Sequence, residues 1–372
     1  MDSQYWQQVD FFHDEKTFIE TLLKAVDQAK SSIYIEFYIF AFDRLGQRFL
    51  SALRAARWRG VYVQLLVDGV GSQADLDKIE AFCIDSNISF RVFRPLPWTS
   101  RFFRKLPRAM WFRVGSWLRK INRRNHRKLV VLDETEAFLG SFNMVENNWR
   151  DSAVKLRGSG VKALLAAHKL AWFKSRRLGF FRRRPLRTLR QQLKLVNPFV
   201  RINATQKLRS KFYREFLHRI HKAEKRIYLV TPYFLPKRSL VRRLKKAAQR
   251  NIDIKIILPD RSDIPFLKWA SFFIIRLLER NGAQFYEYQP TILHAKYYII
   301  DDWATLGSHN LNHRSFLHDL ECEAVLTEPK ELNHLVKQFQ IDLENSNLAL
   351  FEKKQTLFYY TTRIVFMLRY WL

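Results

Sequence analysis

The chain has 372 residues, enough for two domains that each bury a hydrophobic core. Its 65 Lys and Arg residues against 35 Asp and Glu residues give a formal net charge of +30, while 47% of the residues are hydrophobic and 15% are aromatic. This composition excludes a disordered basic tail, and two cysteines far apart in the chain, Cys83 and Cys322, exclude a disulfide framework or a cysteine zinc site.

A folded protein of this charge is expected to bind an anionic partner, either a nucleic acid or a membrane surface. The first residues lack the basic and apolar regions of a secretory signal. No stretch reaches the roughly 18 uninterrupted apolar residues of a membrane-spanning helix. We therefore expect a protein of the cytoplasm, where the cysteines stay reduced.

Helical and strand patterns alternate from the start of the chain. Amphipathic spacing predicts a helix over 17–30, and a run of β-branched and aromatic residues predicts a buried strand over 33–40. A helix over 45–59 and strands at 61–67 and 88–93 follow. Strands that alternate with helices of this length predict βαβ units and mainly parallel sheets.

The same order of elements then recurs, with a helix over 211–225, a strand over 227–234, a helix over 239–250 and strands at 252–258 and 283–288. The predicted fold class is therefore α/β, with two pseudo-twofold-related halves, mainly parallel central sheets and flanking helices. The predicted domains are a first half over 1–155 with a basic insert at 96–125, a basic connection over 156–205, a second half over 206–345 and a tail over 346–372.

Both halves carry one motif: a His, a Lys two residues later and an Asp five residues after the Lys. The two copies are His126, Lys128 and Asp133, and His294, Lys296 and Asp301. The apolar run after each Lys predicts a strand, in which positions two apart share a face. An imidazole that can attack or donate a proton therefore lies beside an ammonium that can hold a phosphate oxygen. Each Asp falls on the opposite face or in the following turn, where a structural role at the strand end is the alternative to a catalytic one.

A second motif follows each copy. The sequences are Gly140-Ser141-Phe142-Asn143 and Gly307-Ser308-His309-Asn310. A small pair before an Asn lets the backbone approach an anion closely and offers it side-chain donors. One such pattern could arise by chance, but two copies after matching strands indicate a shared phosphate chemistry.

These motifs resemble those of the phospholipase D superfamily, and most closely the short cardiolipin synthases that lack N-terminal transmembrane helices. Further matches are Glu36-Phe37-Tyr38, Asp68-Gly69, Thr231-Pro232-Tyr233-Phe234 and Asn312-His313-Arg314-Ser315. The resemblance covers about residues 10 to 330 and part of the tail. One departure is Ser141, where the family usually has a second Gly.

The resemblance implies two halves that face each other and share one active site. One His attacks the phosphodiester phosphorus to form a phosphohistidine, and the other protonates the leaving alcohol and later deprotonates the acceptor. By this analogy His126 is the nucleophile and His294 the acid and base. Asn143, Asn310, Ser141 and Ser308 would bind the phosphate with the two Lys, and no metal or other cofactor is implied. Asp151 and Glu321 match the carboxylates that orient the histidines, with a surface or ion-pair role as the alternative.

Basic and aromatic residues are interleaved in several segments. The insert over 96–125 has nine Lys and Arg residues and no acid among six Trp and Phe residues, and the run over 155–194 has thirteen Lys and Arg residues and no acid. Two apolar segments, 264–278 and 357–372, suit a membrane interface, with core packing as the alternative. Cations with stacking aromatics also suit single-stranded nucleic acid.

Together these features predict a phosphatidyltransferase that makes cardiolipin at the cytoplasmic face of an anionic membrane containing phosphatidylglycerol and cardiolipin. It would be a peripheral enzyme with no obligatory nucleic-acid partner. A phospholipase D that uses water as acceptor is the nearest alternative, followed by a nucleic-acid phosphodiesterase and by a non-catalytic binding protein of the same fold.

Overall fold

The structure is a computed structural model that describes residues 6–96, 123–175, 198–263 and 265–349, with side chains from residue 270 onward in the last range. The chain divides into two units. Unit 1 comprises Met1–Asn147, Ala153–Ala204 and His318–Cys322, and unit 2 comprises Asn148–Ser152, Thr205–Leu317 and Glu323–Leu372. Each unit therefore contains one short segment whose neighbours in sequence belong to the other unit.

Unit 1 contains eight described strands and four described α-helices. They are β1 (Gln8–Phe12), α1 (Glu15–Gln28), β2 (Ser32–Phe37), α2 (Arg44–Trp58), β3 (Tyr62–Asp68), α3 (Leu76–Asp85), β4 (Ser89–Phe93), β5 (Leu129–Leu132), β6 (Glu136–Gly140), β7 (Ala153–Arg157), α4 (Gly160–Lys174) and β8 (Val200–Ile202). Helices α1 and α2 start where the sequence supplies a cap: Asp14 and Asp43 each accept a hydrogen bond of 2.8 Å from a backbone N–H of the first turn.

The central sheet of unit 1 has the order β1-β7-β6-β5-β2-β3-β4. Strands β2, β3 and β4 are parallel, whereas β2 pairs with β5 in the antiparallel direction, with Ile33 opposite Leu132 and Glu36 opposite Leu129. The remaining pairs, β5 with β6, β6 with β7 and β7 with β1, are also antiparallel. The strand that carries the first His motif therefore lies beside the first strand of the βαβ arrangement.

Unit 2 repeats this plan. Its described elements are α5 (Gln206–Lys222), β9 (Arg226–Val230), β10 (Phe234–Leu235), α6 (Arg238–Ala248), β11 (Asp253–Pro259), α7 (Pro265–Glu279), β12 (Gln284–Tyr288), β13 (Tyr297–Ile300), β14 (Trp303–Gly307), β15 (Leu311–Asn312), α8 (His313–Leu317), β16 (Cys322–Leu326), α9 (Pro329–Glu344) and β17 (Ser346–Leu348). The strand order is β17-β12-β11-β9-β13-β14-β16, and β9 pairs antiparallel with β13 as β2 does with β5.

Each unit has its own hydrophobic core between sheet and helices. In unit 1 the apolar stripes of α1 and α2 pack against β2 and β3, and fully buried members include Leu22, Phe49 and Leu65. In unit 2 the corresponding stripes of α5 and α6 pack against β9 and β11, with Ile220 and Leu244 fully buried. The periodicities of 3.6 and 2 residues that predict these elements thus point their apolar sides to one core per unit.

The prediction of two α/β halves with flanking helices is confirmed, but the prediction that their sheets are mainly parallel is wrong. Each sheet has two parallel pairs, and its other pairs are antiparallel. The reason is that hairpins extend each sheet beyond the parallel strands. Their outer strands, β6 and β14, are not among the strands predicted from the sequence.

The structure also changes the predicted limits of the first half. Strand β7 crosses the predicted boundary at residue 155, and α4 lies within the predicted connection, yet both belong to unit 1. The reason is burial, since α4 packs against β5, β6 and β7 with Val161 and Leu164 fully buried. Most of the basic insert, the end of the basic run and the tail from residue 350 lie outside the described residues.

Within the apolar segment at 264–278 the chain forms α7 from Pro265, and the side chains described from residue 270 onward pack mainly in the core. Ala270, Ile274, Ile275 and Leu278 are at most 1% exposed and belong to the core of unit 2. This assignment to a membrane interface is therefore wrong for the described side chains, because these residues face α6 and β12. Within the described ranges, no helix has the length and apolarity needed to span a bilayer.

Candidate active site

The first His motif lies directly before β5 in unit 1. His126 and Lys128 are 8% and 3% exposed, and the Lys128 Nζ donates a hydrogen bond of 2.8 Å to the His126 carbonyl oxygen. In unit 2, His294 and Lys296 precede β13 in the same way, with 2.5 Å between the Lys296 Nζ and the His294 carbonyl oxygen. Each ammonium is thus fixed beside the backbone of its own histidine.

The carboxylates that hold the imidazoles come from distant parts of the sequence. The His126 Nδ1 lies 3.2 Å from the Glu321 carboxylate, 195 residues later, and the His294 Nδ1 lies 2.8 Å from Asp151 Oδ1, 143 residues earlier. Because an ionised carboxylate can only accept, Nδ1 carries the hydrogen. In its neutral form each imidazole therefore keeps the lone pair of Nε2, as a nucleophile or base requires, and in its protonated form Nε2 carries the proton that an acid donates.

The residue before each carboxylate holds the backbone of the same histidine. The His126 N–H donates to the Leu320 carbonyl oxygen at 3.0 Å, and the His294 N–H donates to the Arg150 carbonyl oxygen at 2.8 Å. The segments 318–322 and 148–152 are the ones that each unit takes from elsewhere in the sequence. Each histidine is therefore positioned twice by one crossing segment, at its backbone and at Nδ1.

An aromatic ring lies against each imidazole. Tyr38 is 4.8 Å from His126 between ring centroids with 57° between the planes, and Trp149 is 5.0 Å from His294 with 56°. The Lys128 Nζ also lies 5.2 Å from the centre of the Tyr38 ring. These contacts restrict rotation of the imidazoles in nearly the same geometry in both units.

The Gly-Ser-x-Asn motifs lie beside the His-x-Lys motifs. The Gly140 N–H donates to the Lys128 carbonyl oxygen at 3.3 Å, and the Gly307 N–H donates to that of Lys296 at 3.2 Å. The following Ser and Asn side chains are all at most 3% exposed: Ser141, Asn143, Ser308 and Asn310. The Asn143 Oδ1 accepts a hydrogen bond of 3.2 Å from the Ile39 N–H. This hydrogen bond fixes the orientation of the Asn143 amide.

Asp133 and Asp301 lie at the opposite end of the motif strands from the histidines. The Asp133 carboxylate accepts hydrogen bonds of 2.7 to 3.0 Å from the backbone N–H groups of residues 30–32, just before β2. Asp301 binds residues 224–226 before β9 in the same way. Partial burial raises the pKa of each carboxyl, but the backbone N–H groups outweigh this effect and hold the pKa below its usual value. A catalytic role for Asp133 and Asp301 stays a prediction. These contacts are those expected of the alternative, a structural role at the end of the strand.

A family model described as "Cardiolipin synthase, PLD-like domain" matches residues 22–154 and 216–343, which is most of both repeated halves. The chain belongs to this family. The membership confirms the resemblance inferred from the two motifs, and with it the predicted enzyme class, a phosphatidyltransferase of the phospholipase D superfamily.

Curated relatives agree with the family model. The chain is 30% identical over 365 residues to "Cardiolipin synthase 1" of Staphylococcus epidermidis, covering 91% of this chain and 68% of the relative. It is 27% identical over 377 residues to "Cardiolipin synthase" of Clostridium perfringens, covering 95% and 75%. A crystal structure of phosphatidylserine synthase from Haemophilus influenzae has the same fold, with a TM-score of 0.71, 15% identity and coverage of 98% of this chain and 95% of that one.

In this member of the family, a buried cluster of charged and polar side chains contacts the residues on either side of His126. Glu36 on β2 is fully buried and accepts 2.7 Å from Asn125 Nδ2, while Arg127 Nη1 and His168 Nδ1 lie 3.5 and 3.1 Å from its Oε1. Burial acts to raise the pKa of Glu36, but Arg127, His168 and Asn125 outweigh it and hold the pKa low. Asn125 and Arg127 are the immediate neighbours of His126, so the cluster fixes the backbone on both sides of the imidazole.

The second motif lacks this cluster. By the strand register, Val230 occupies the position of Glu36, because Glu36 faces Leu129 one residue after Lys128 and Val230 faces Tyr297 one residue after Lys296. Ala295 stands where the first copy has Arg127. The fold thus accommodates an apolar pair at these positions, and the ion pair is a feature of the first copy.

The segment that carries Asp151 is held by a different ion pair. The Arg150 guanidinium makes two contacts with the Asp342 carboxylate, at 3.0 and 2.9 Å, and Tyr297 donates 2.6 Å to the same carboxylate. Arg150 also donates to the Asp151 carbonyl oxygen and to Ser152 Oγ. A bidentate pair of this kind fixes the direction of the side chain as well as its charge.

The histidines, the lysines and their carboxylates can be identified from the sequence, but which carboxylate contacts which histidine cannot. Trp149, Arg150 and Asp342 are not identified from the sequence as part of the site. The nearest sequence signal for the first two is their position directly before Asp151. For Asp342, on α9, the sequence carries no local signal.

No three His, Cys, Asp or Glu side chains cluster as metal ligands in the part of the chain that the structure describes. Each unit instead presents an oriented imidazole, an ammonium and a buried amide. Such a set can attack or protonate a phosphodiester and stabilise charge on its oxygens.

Proposed function

We propose that this protein makes cardiolipin by transferring a phosphatidyl group from one phospholipid to the hydroxyl of phosphatidylglycerol. The released headgroup alcohol is glycerol when two phosphatidylglycerol molecules react. The observation that carries the proposal is the duplicated group in which a carboxylate fixes Nδ1 of the motif histidine beside its Lys. The cardiolipin synthases among its relatives support the choice of lipid substrate.

In the first proposed step, the His126 Nε2 attacks the phosphorus of the donor lipid. The bond between phosphorus and the headgroup oxygen breaks, and that oxygen takes a proton from the His294 Nε2. The products are a phosphatidyl group on His126 and a free alcohol. Glu321 stabilises the positive charge that develops on the His126 imidazole, because its carboxylate lies at Nδ1.

In the second proposed step, the neutral His294 accepts the proton of the phosphatidylglycerol hydroxyl. The hydroxyl oxygen attacks phosphorus, the bond between phosphorus and the His126 nitrogen breaks, and cardiolipin leaves. His294 is protonated again and the cycle closes without net gain or loss of protons. An unperturbed imidazole pKa near 6.5 suits both directions of transfer.

The assignment of the two roles follows the resemblance to the phospholipase D superfamily, in which the histidine of the N-terminal copy attacks. Asp151 lies 2.8 Å from the His294 imidazole and Glu321 lies 3.2 Å from the His126 imidazole, so each histidine has a carboxylate that stabilises its positive charge. His126 is proposed as the nucleophile and His294 as the acid and base.

Lys128, Lys296, Asn143 and Asn310 are proposed to bind the non-bridging phosphate oxygens, with Ser141 and Ser308 beside them. Charge builds on these oxygens in the transition state, and fixed donors in a buried site stabilise it without reorganisation. The side chains that would act in this way are at most 3% exposed. The proposed mechanism therefore uses no metal cofactor.

The competing reaction is hydrolysis, in which water replaces the lipid hydroxyl and phosphatidic acid forms. The same residues would catalyse it, so the acceptor alone separates a synthase from a phospholipase D. We propose that the protein works as a peripheral enzyme at the cytoplasmic face of an anionic membrane, where lipid hydroxyls are concentrated. Its formal charge of +30 supports attraction to such a surface.

The deciding assay uses purified protein, vesicles of labelled phosphatidylglycerol and EDTA, followed by separation of the lipid products. Cardiolipin with glycerol supports the proposed function and a metal-free reaction. Phosphatidic acid as the sole product supports a phospholipase instead. A second mixture that contains phosphatidylethanolamine tests for a different phosphatidyl donor. An oligonucleotide substrate tests for a nucleic-acid phosphodiesterase.

Variants of the histidines test the two-step mechanism. His126→Ala and His294→Ala should each abolish transfer while vesicle binding is unchanged. His294→Ala should still accumulate some lipid-linked protein from a donor whose leaving group needs no proton, whereas His126→Ala should not. Substantial turnover in either variant contradicts a mechanism that uses both imidazoles.

A further inference from the structure

One surface of unit 2 carries a concentration of positive charge that the catalytic groups do not use. Helix α5 has six Lys and Arg residues and one Glu, and α6 has five Lys and Arg residues and no acid, a net charge of +10 for the pair. The two helices pack together, and the Tyr213 and Ser239 hydroxyls that join them are 2.6 Å apart. Both helices also present apolar stripes to the core, so the cations lie mainly on the outer side, with Arg209 as a buried exception.

The exposed cations of this pair follow helical spacing. On α6 they recur at every fourth residue, at Arg238, Arg242 and Lys246, and on α5 they include Lys207, Lys211 and Lys222. Residues four apart on a helix share one face. We call the surface formed by these six residues the α5–α6 face.

Cations of the two helices also act on the same point. His221, an exposed residue at the end of α5, has a lowered pKa, because Arg243 of α6 repels its protonated form, with smaller effects from Arg250 and Lys222. Positive potential from both helices therefore overlaps at the surface rather than being confined to one helix.

The internal repeat shows that the fold does not require this charge. The equivalent helices of unit 1, α1 and α2, also pack together before the same two strands. They carry six Lys and Arg residues against three acids, a net charge of +3. The same architecture thus exists with a much smaller charge, and the excess on α5 and α6 has a cause outside folding.

We infer that the α5–α6 face is the surface by which unit 2 docks onto the headgroups of an anionic lipid bilayer. The inference rests on the proposed function, which requires an anionic lipid as substrate. Clustered Lys and Arg near a bilayer bind acidic headgroups through the negative surface potential. The aromatic residues of α5, Phe212, Tyr213 and Phe216, are not exposed, so among the described residues of the two helices no exposed Phe, Tyr or Trp ring is available to stack on nucleic-acid bases.

The test compares two variants of the full chain that have the same net charge of +27. Arg238→Gln with Arg242→Gln and Lys246→Gln removes three cations from the α5–α6 face. Lys16→Gln with Lys24→Gln and Arg48→Gln removes three exposed cations from the corresponding helices of unit 1. Thermal unfolding of both variants checks that they fold like the parent protein.

Binding is measured by sedimentation with vesicles of equal parts phosphatidylglycerol and phosphatidylcholine at low and physiological salt. We expect the α6 variant to bind roughly tenfold to 100-fold more weakly than the parent, and the unit 1 variant to bind within about twofold of it. Equal binding by the two variants overturns the inference. A loss of binding to duplex or single-stranded DNA, with vesicle binding unchanged, also overturns it and assigns the face to nucleic acid.

Turnover on phosphatidylglycerol in neutral detergent micelles separates this inference from the proposed function. The α6 variant should retain the parent's activity there, because the substituted residues lie outside the motif strands and micelles present no charged bilayer. A parent protein that is inactive in micelles and vesicles contradicts the proposed function, whereas the vesicle-binding comparison stands independently of activity.

Discussion

The buried Glu36–Arg127 pair allows a quantitative test of how the first motif is held. Glu36→Val leaves the Arg127 guanidinium, which is fully buried, without its carboxylate. Removal of one member of a buried ion pair costs about 3 to 5 kcal/mol of unfolding free energy. Glu36→Val combined with Arg127→Met removes both charges and fills the space with apolar atoms, as Val230 and Ala295 do in unit 2.

For the double variant, the remaining losses are the hydrogen bond from Asn125 to Glu36 and the close contact of the His168 Nδ1 with the same carboxylate. At about 1 kcal/mol each, this predicts a loss of about 2 kcal/mol. The double variant should therefore be more stable than Glu36→Val alone by about 1 to 3 kcal/mol. Urea unfolding of the parent, both single variants and the double variant gives the coupling energy directly.

The effect should depend on pH in a defined direction. The pKa of Glu36 is below its ordinary value of 4.5 in the folded protein, so its charge stabilises the fold above that pH. The stability is lost as the pH falls through the folded pKa. The gap between the parent and Glu36→Val should therefore be full at pH 7 and shrink in acid.

The activity of the double variant separates folding from positioning. If the cluster fixes the neighbours of His126, kcat should fall at least tenfold while vesicle binding and KM change little. The Glu36→Gln variant, which can still accept from Asn125, should recover part of the lost kcat. A double variant that is no more stable than Glu36→Val, or that keeps the parent's kcat, would refute this reasoning.

Three further predictions concern other parts of the two units. Asp151→Asn should lower kcat by at least tenfold with little change in stability, because an amide stabilises the His294 imidazolium less than a carboxylate does, and the pH–rate profile is the check. Asp301→Ala should lower the free energy of unfolding in urea by about 2 kcal/mol, because the backbone N–H groups lose their charged acceptor. The difference from the parent should disappear as the pH falls through the lowered pKa of Asp301, because the parent carboxylate is then protonated. Gly71→Ala should reduce turnover in the lipid assay, because its Cβ would lie 2.3 Å from the Tyr38 carbonyl oxygen and displace the residue that packs against His126, whereas unchanged turnover would contradict a positioning role for Tyr38.

Much of the fold could be predicted because it depends on neighbours in sequence. The helices at 17–30 and 45–59 and the strand at 33–40 are found close to the predicted limits, since apolar spacing and capping residues act within a few positions. The outer strands could not be predicted in the same way. The turn from β5 to β6 has positive φ at Asp133 and Glu134, and its carboxylate bonds reach residues about 100 positions away.

The apolar segment at 264–278 shows a different limit of sequence reasoning. A run rich in Phe, Ile and Leu suits a membrane interface and a protein core equally well, because both remove apolar surface from water. The contacts with α6 and β12 decide between them for the described side chains. Local composition does not predict which surface will cover a helix.

The duplicated chemistry of this protein can be read from residue types alone: the two His-x-Lys pairs, the Gly-Ser-x-Asn motifs that follow them and the excess of positive charge. These features follow from residue types at short spacings, which set which side chains share a strand face. The three-dimensional packing is needed to show that Glu321 contacts His126, that Asp151 contacts His294 and that Glu36 contacts the neighbours of the first motif's histidine. Those contacts join residues roughly 90 to 195 positions apart, and their partners are selected by the packing of each unit rather than by any neighbour in the chain.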